Sequence, residues 1–421
     1  MHLFPFQKEG VQFLQSRRRA VLTDEMGLGK TIQALCALPP DAATLIVCPA
    51  SLKCNWENEV KKWTELEPEI LSGRGSFRWP VAGEVLITNY EILPDGHDLP
   101  AVWHPVHAIV DEAHALKNFK AQRTRHWRGM LAELIEADGS AWLLTGTPII
   151  TSPIDLWGLL ESADLAADAY GSFEIFKEIW GARLGSFDQL VWHPHAIKKD
   201  LAREGLDRVT FGRSRADVLP ELPAKRWTQI DVPIPRGVGK VDLDDLAMLR
   251  SWADGNKPLK ALGQIARARK ELAIAKVAGA IKLIDTILDG GGGPLVVFSA
   301  HVEPVLKLGS RLGWVGITSA TPMAQRAEIV AEFQRGGLAG IAGTIGAMGT
   351  GLTLTASHRM IFIDLDFSPA INAQAEDRIN RIGQKNACEY IVCTATGNTI
   401  DQLINSSIMR KSQMIDVIKG E

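Results

Sequence analysis

Short apolar runs alternate along this chain with stretches whose apolar positions recur every three to four residues, the mark of parallel α/β sheets. In the first half the runs are 20–23, 44–48, 85–88, 108–111 and 142–145, and each ends where polar or small residues begin. Open parallel sheets bind ligands beyond the carboxyl ends of their strands. Asp24, Pro49, Asn89, Asp111 with Glu112, and Gly146 with Thr147 are therefore expected along one edge. Between them, 55–63 reads as a helix with Trp56, Val60 and Trp63 on one face. From about 150 to 215 the pattern turns helical and irregular, as an inserted helical lobe would. Pro220, Pro223, Pro233 and Pro235 mark an extended connector. Residues 242–288 read as helical, with a basic face at Lys260, Arg267, Arg269 and Lys270. Such a face is ordinarily solvated surface, with nucleic-acid contact as the alternative. After Gly290 to Pro294 a second alternating series begins, with strand runs at 295–299, 314–318, 339–344, 360–364 and 390–394. The expected division is an α/β lobe at 1–219, a linker and helical segment at 220–289, and a second α/β lobe at 290–421.

Composition narrows the class without changing this outline. With 46% hydrophobic and 23% charged residues among 421, the chain is long enough to bury large cores in two or three domains. A net charge of −3 announces no global basic field, so any nucleic-acid groove must be local. No apolar stretch approaches the ~20 residues of a membrane span. The start, Met1 to Phe6, lacks the basic and apolar regions of a signal peptide. The five cysteines, Cys36, Cys48, Cys54, Cys388 and Cys393, form no C-x-x-C pair. They suggest reduced thiols in a cytoplasmic setting, with Cys388 and Cys393 read as buried strand thiols in preference to metal ligands.

Candidate chemistry starts at Asp24-Glu25-Met26-Gly27-Leu28-Gly29-Lys30-Thr31, between a strand run and a helical run. Strand, glycine-rich turn and Lys-Thr opening a helix is the layout of a phosphate-binding loop. Gly27 and Gly29 let successive N–H groups turn toward a phosphate, and the helix start adds its positive end. Lys30 would reach the outer phosphates and Thr31 would hold magnesium. The strict pattern has a glycine where this chain has Asp24, so the match is to the shorter G-x-G-K-T form. Taken alone, an ordinary glycine turn is the alternative. Further along, Val110-Asp111-Glu112-Ala113-His114 sets two adjacent carboxylates after a strand run. Asp111 suits a magnesium ion, directly or through water, and Glu112 suits orienting and deprotonating the attacking water. An acidic strand-to-helix cap is the plain alternative. In the second half, Arg378 and Arg381 stand three apart, on one face of an expected helix. Such arginines stabilise charge on a transferring phosphoryl group, or else form a salt-bridged surface with Glu376 and Asp377.

Taken in order, these motifs resemble those of the Swi/Snf-type ATPases, a branch of the superfamily-two helicase-like motors built on two RecA-like lobes. The likeness runs over nearly the whole chain. Residues 3–11 resemble the opening segment, which implies that Gln7 reads the adenine edge. Residues 24–31 carry the phosphate loop in the family's own wording, Asp24 included. Cys48 to Leu52, followed by Trp56 and Trp63, resembles a motif that touches a DNA backbone, and Ile87 to Glu91 resembles another. Asp111 to His114 is the DEAH box, and Leu144 to Pro148 resembles the motif that couples hydrolysis to lobe movement. The resemblance thereby gives His114 and Thr145 coupling roles. Arg215 to Lys225 resembles the lead into the second lobe, and Gln374 to Gln384 the arginine-finger helix, whose ending adds Gln384 to the coupling residues. Two departures stand out. Phe211-Gly212-Arg213-Ser214-Arg215 replaces the family's usual paired arginines. The glycine-rich segment 344–354, whose Gly351 is grouped with the nucleotide-binding residues, ends in Gly351-Leu352-Thr353-Leu354, closer to the annealing-helicase branch.

The resemblance implies a translocase on double-stranded DNA that uses ATP and Mg2+. ATP would sit between the lobes, held by Gln7, Gly27, Gly29, Lys30, Thr31, Asp111 and Glu112, with Arg378 and Arg381 arriving on closure. Sequence-independent DNA backbone contacts would come from loops near Ser51, Lys53, Asn89, Ser299 and Thr344, with strong salt dependence. The chain lacks room for large lobe insertions or histone-reading modules, which favours a minimal motor, bacterial or viral, over nucleosome remodelling. The rivals are a strand-separating helicase on RNA or single-stranded DNA, a nucleotide-gated clamp without turnover, and a motor subunit of a larger assembly.

Overall fold

In the computed structural model the apolar runs form parallel strands. The structure describes residues 3–73, 75–95, 104–148, 152–185, 190–219, 225–235, 237–238, 259–348, 352–381, 383–395, 401–402 and 408. The chain divides into two units, with the main boundary after Pro220.

The sheet of the first unit contains β1 (Arg19–Leu22), β2 (Ala43–Cys48), β3 (Pro68–Ile70), β4 (Val85–Asn89), β5 (Val106–Asp111), β6 (Ser140–Leu144) and, after a separate pair β7 (Ala182–Leu184) and β8 (Leu190–Trp192), β9 (Thr210–Phe211). Its order is β3-β4-β2-β5-β6-β1-β9. Every residue of β2 is buried, as in a parallel strand covered on both faces. Successive side chains of a strand point to opposite faces, so neighbours divide between two cores. Leu45, Val47, Ala108, Val110 and Leu143 join one core. Ile46, Cys48, Ile109, Trp142 and Leu144 join the other.

Helices Pro5–Gln15, Lys30–Ala37 and Lys53–Trp63 cover the second face through Leu14, Leu35, Trp56 and Val60. Helix Gln122–Glu136 covers the first through Trp127, Met130 and Leu134. The helical stretch expected near 150–215 forms Pro153–Ser162, Ala166–Tyr170, Phe173–Ile179 and Lys199–Val209, and it shares that same core through Leu156, Leu160, Phe176 and Leu206.

The second unit's sheet holds β10 (Lys225–Asp231), β11 (Leu295–Ser299), β12 (Trp314–Ile317), β13 (Gly340–Thr344), β14 (Arg359–Phe362) and β15 (Cys388–Thr394), ordered β10-β15-β14-β11-β13-β12. The same alternation sends Val296, Phe298, Met360 and Phe362 to one face, with Ile329 and Phe333 of helix Met323–Gln334. Leu295, Val297 and Ile361 go to the other face, with Ala273, Ala280 and Ile284 of helix Leu259–Asp289.

Beyond the separate pair β7 and β8, three strands of the two larger sheets escape the apolar-run pattern. β3 and β9 have 3 and 2 residues, too few to show a period. β10 falls where a connector was expected. It is an edge strand, mostly exposed and polar, that pairs with β15 alone. The expected basic helix face also changes character. Arg269 turns inward, its guanidinium 3.8 Å from the Phe367 ring centroid and donating to the Leu365 carbonyl at 2.7 Å. Arg267 pairs with Glu271, and Lys270 pairs with Glu303. The Lys260 side chain and residues 242–258 lie outside the described residues. Among those residues no helix is long and apolar enough to cross a membrane.

Candidate nucleotide site

Strand order builds this site. β5, β6 and β1 are consecutive neighbours, with Asp111 opposite Leu144 and Leu144 opposite Leu22. Their carboxyl ends therefore bring Asp111, Thr145 and the loop after Leu22 side by side. In that loop Gly27 and Gly29 have φ of 85° and 78°, the left-handed region that glycine enters without strain. A side chain at Gly29 would also meet Gln7 Nε2 at 2.6 Å. At Gly146 a Cβ would lie 2.8 Å from Met26 Cγ and 3.3 Å from Lys30 Nζ, so the loop packs directly on the end of β6. Lys30 opens the following helix, and its Nζ donates to the Asp24 carbonyl at 2.7 Å.

Asp24, at the position of the missing glycine, has a fully buried carboxylate. Arg213 holds it from both sides. Its backbone N and Nε donate to Oδ1 at 3.1 and 3.0 Å, and NH2 donates to Oδ2 at 2.7 Å. Gln33 Nε2 donates to the same Oδ2 at 2.9 Å and to the Leu28 carbonyl at 3.1 Å. Gln7 is buried against the loop. Its Nε2 donates to the Leu28 carbonyl at 3.2 Å, and its Oε1 accepts from the Phe4 N–H at 3.1 Å.

The acidic pair ends β5 and is held by a helix and by the turn after β4. Trp56 Nε1 donates to Asp111 Oδ2 at 2.8 Å, and the Glu112 N–H donates to Oδ1 at 2.9 Å. The Tyr90 hydroxyl donates to the Asp111 carbonyl at 2.6 Å. Burial, then the neighbouring Glu112 charge, push the Asp111 carboxyl up to about 6, while Trp56 and Lys30 pull it down. Glu112 adopts φ of 51°, a sparsely populated backbone state for a side-chain-bearing residue. Its Oε2 lies 3.3 Å from His114 Nδ1. That nitrogen is 3.4 Å from both Thr145 Oγ1 and Thr147 Oγ1, and Thr145 Oγ1 accepts from the Thr147 N–H at 3.1 Å. Glu112, His114, Thr145 and Thr147 thus form one chain across β5 and β6.

Lys30, Thr31 and Asp111 are of the right kind for a magnesium nucleotide. A lysine serves phosphate, and a hydroxyl and a carboxylate are hard oxygen ligands.

Other expected contacts point differently. Ser51 sits partly exposed in the short turn Ala50–Leu52. Lys53 and Asn89 face each other, Lys53 Nζ donating to Asn89 Oδ1 at 3.0 Å and to the Leu71 carbonyl at 2.9 Å. They tie the start of the helix Lys53–Trp63 to the ends of β3 and β4.

In the second unit, Ser299 and Thr344 are only 1% and 8% exposed. Ser299 Oγ donates to Asp364 Oδ1 at 2.6 Å, so its hydroxyl orders the end of β11.

Arg378 and Arg381 are not on a helix. The helix Pro369–Glu376 ends before them, where hydrogen bonds tighten to the i−3 carbonyl, Arg378 N–H to Ala375 and Ile379 N–H to Glu376. Arg378 is buried, donating to the Gln374 and Leu352 carbonyls. Arg381 donates to the Asp377 carbonyl and to Thr353 Oγ1. Gln384 is buried too. Its Nε2 donates to the Thr355, Ser357 and Ile379 carbonyls, and its Oε1 accepts from the Lys385 and Asn386 N–H groups. Gly351 lies outside the described residues.

Residues 6–234 match the SNF2-related domain, and residues 278–383 match the helicase conserved C-terminal domain. The chain belongs to the SNF2-related family. Among SNF2-related relatives it is 31% identical over 440 residues to the mouse DNA annealing helicase and endonuclease ZRANB3, covering 98% of this chain and 40% of that protein. It is 29% identical to the Xenopus tropicalis SWI/SNF-related matrix-associated actin-dependent regulator of chromatin subfamily A-like protein 1, covering 96% of this chain and 43% of that protein. The chain thus spans well under half the length of these relatives. The Sulfolobus solfataricus SWI2/SNF2 ATPase core in complex with dsDNA matches over 100% of this chain and 93% of its own, with 20% identity and a TM-score of 0.45. The resemblance to Swi/Snf-type ATPases, and the lean toward the annealing branch, agree with these matches.

Arg213 stood out in the sequence only as part of the departure at 211–215, not as the partner of Asp24. One signal was available, since a charged Asp24 in a buried glycine position demands a partner. Trp56 and Tyr90 were likewise visible only as a core aromatic and a motif residue, not as supports of Asp111.

Proposed function

We propose that this chain is an ATP-hydrolysing motor that moves on double-stranded DNA without reading its sequence. The observation that carries the reading is the single sheet edge of an SNF2-related chain where the phosphate loop packs on Gly146 beside the linked residues Glu112, His114, Thr145 and Thr147. Lys30 and the loop N–H groups bind the phosphates, and Gln7 holds the adenine edge. Thr31 and Asp111 hold the magnesium ion, which when bound neutralises charge on the phosphates. Glu112 orients the attacking water and accepts its proton. Through His114, the protonation of Glu112 is felt at Thr145 and Thr147, which couples the chemistry to the turn after β6. Arg381 stabilises charge on the transferring phosphoryl group, and Arg378 holds the segment that presents it. The names of the annealing-helicase relatives support strand rewinding as the task, and the hydroxyl of Thr31 with the carboxylate of Asp111 suits Mg2+ as the metal.

The deciding measurement is steady-state ATP hydrolysis with duplex DNA, single-stranded DNA and RNA, repeated across a salt series. Duplex DNA of any sequence is expected to stimulate best, with stimulation falling steeply as salt rises. Best stimulation by RNA would make the chain an RNA motor. Tight ATP binding with no turnover on any nucleic acid would make it a clamp. Re-annealing of complementary strands, followed by gel shift, tests the rewinding task.

A further inference from the structure

The Asp24–Arg213 pair does more than close a buried charge. Arg213 follows β9, and its groups together reach the loop root, the helix after the loop and the first helix. Its main-chain N, Nε and NH2 grip both oxygens of Asp24 at the root of the phosphate loop. NH2 also donates to Gln33 Oε1 at 3.0 Å, in the helix that follows the loop. NH1 donates to the Phe6 carbonyl, beside Gln7 in the first helix, and to Glu9 Oε2 at 3.3 Å. The guanidinium lies over the rings of Phe6 and Phe211, 5.4 and 4.6 Å from their centroids. The Leu28 carbonyl then receives Gln33 from one side and Gln7 from the other. The space is tight, since a Cβ at Gly10 would fall 1.8 Å from Gln33 Oε1 and 3.0 Å from Arg213 NH2.

We infer that Arg213 is a positioning residue that locks the Gln7 helix and the phosphate loop into one body, so that base discrimination and phosphate binding depend on each other. A planar fork of donors fixes directions as well as distance, which a lysine in its place cannot reproduce. Loss of Arg213 frees the first helix from the loop and leaves the Asp24 carboxylate buried without its cation. Asp24 then pulls on the loop root, while the bond from Gln7 Nε2 to the Leu28 carbonyl is left to hold the first helix to the loop. The affected quantities are nucleotide affinity and preference for the adenine base. The chemical step, set at Glu112 and Asp111, is affected less.

This inference rests on the ATPase reading above. The test compares wild type, Arg213→Met, Arg213→Lys, Asp24→Asn and the double variant Asp24→Asn with Arg213→Met. The readouts are kcat and KM for ATP and GTP with saturating duplex DNA, binding of a fluorescent ATP analogue without DNA, and thermal unfolding. Arg213→Met is expected to raise KM for ATP and weaken analogue binding by about 10-fold or more, keep kcat within about 3-fold, and narrow the ATP-over-GTP preference. The double variant is expected to regain thermal stability, since no uncompensated charge remains, yet not base preference. Arg213→Lys is expected to fall between. Variants that lose only thermal stability, with wild-type KM and base preference, reduce the pair to a structural bridge and overturn the inference while the ATPase reading stands. A wild type that neither binds nor hydrolyses ATP overturns both.

Discussion

The indole N–H of Trp56 donates to Asp111 Oδ2 at 2.8 Å, joining the helix Lys53–Trp63 to the end of β5. Trp56 is fully buried, so the bond fixes which way a buried carboxylate faces. Supports of this kind commonly change metal affinity by ~10–100-fold. Trp56→Phe is expected to raise the magnesium concentration needed for half-maximal ATP hydrolysis by about 10-fold, with a smaller change in KM for ATP. Magnesium titrations of the steady-state rate check this; an unchanged midpoint would remove Trp56 from the site.

Lys30 and Glu112 should separate binding from turnover. Lys30→Ala is expected to lose both nucleotide binding and hydrolysis. Glu112→Gln keeps shape and hydrogen-bonding capacity but cannot take a proton, so binding should persist while turnover falls by ~10²–10⁴-fold. Calorimetry beside a hydrolysis assay distinguishes the two.

Arg381→Ala is expected to leave ATP affinity largely intact and lower DNA-stimulated turnover by ~10³-fold, the scale of other arginine fingers. Arg381 is bonded to the Asp377 carbonyl in its own turn and to Thr353 before β14, so loss of those contacts alone would appear as altered stability at a normal rate. A wild-type rate in single-turnover measurements assigns the residue to that structural role.

Gln384→Ala tests a different kind of role. One buried side chain satisfies the carbonyls of Thr355, Ser357 and Ile379 and the N–H groups of Lys385 and Asn386. Truncation leaves several buried polar groups unpaired, and about 2 kcal/mol of stability should be lost. A lower urea midpoint with an unchanged denaturant slope is the expected signature.

The thiols should react unequally. Cys54 is exposed, whereas Cys48, Cys388 and Cys393 are buried. Burial, with Asp111 adding to it, drives the Cys48 thiol far above the usual range, and burial pushes Cys393 up to about 12. At mildly alkaline pH a thiol reagent should label Cys54 first, Cys36 more slowly, and the other three only after denaturant is added. Rapid native labelling of Cys48, read by peptide mass, would contradict the packing of β2.

Much of this architecture was visible before any coordinates, because buried parallel strands write themselves as unbroken apolar runs. The run 295–299 is β11 residue for residue, and 85–88 is β4 but for its last position. Asp24, Asp111 and Thr145 were visible because each stands where such a run ends. Their adjacency was not, since strand order is set by packing across the sheet. Arg213 was hidden by distance, as its partner lies 189 positions away. Ser299, Asn89 and Lys53 show a further limit. Their polarity marks them as hydrogen-bonding, but only the fold decides whether they bond to the protein or reach outside it. The end of the helix before Arg378 was equally hidden, because the tightening of its last hydrogen bonds leaves no mark in the residue pattern.

β10 changes how this protein should be taken apart. The strand lies at Lys225–Asp231, yet it pairs residue by residue with β15 at Cys388–Thr394. A C-terminal fragment begun at the glycine run near 290, or where the helicase C-terminal match starts at 278, would lack it. Such a fragment would expose the bare backbone edge of β15, a template for pairing with other copies. Starting at Lys225 keeps that edge covered. Fragments cut at the two places should therefore differ in their tendency to aggregate, although both retain every motif of the second half.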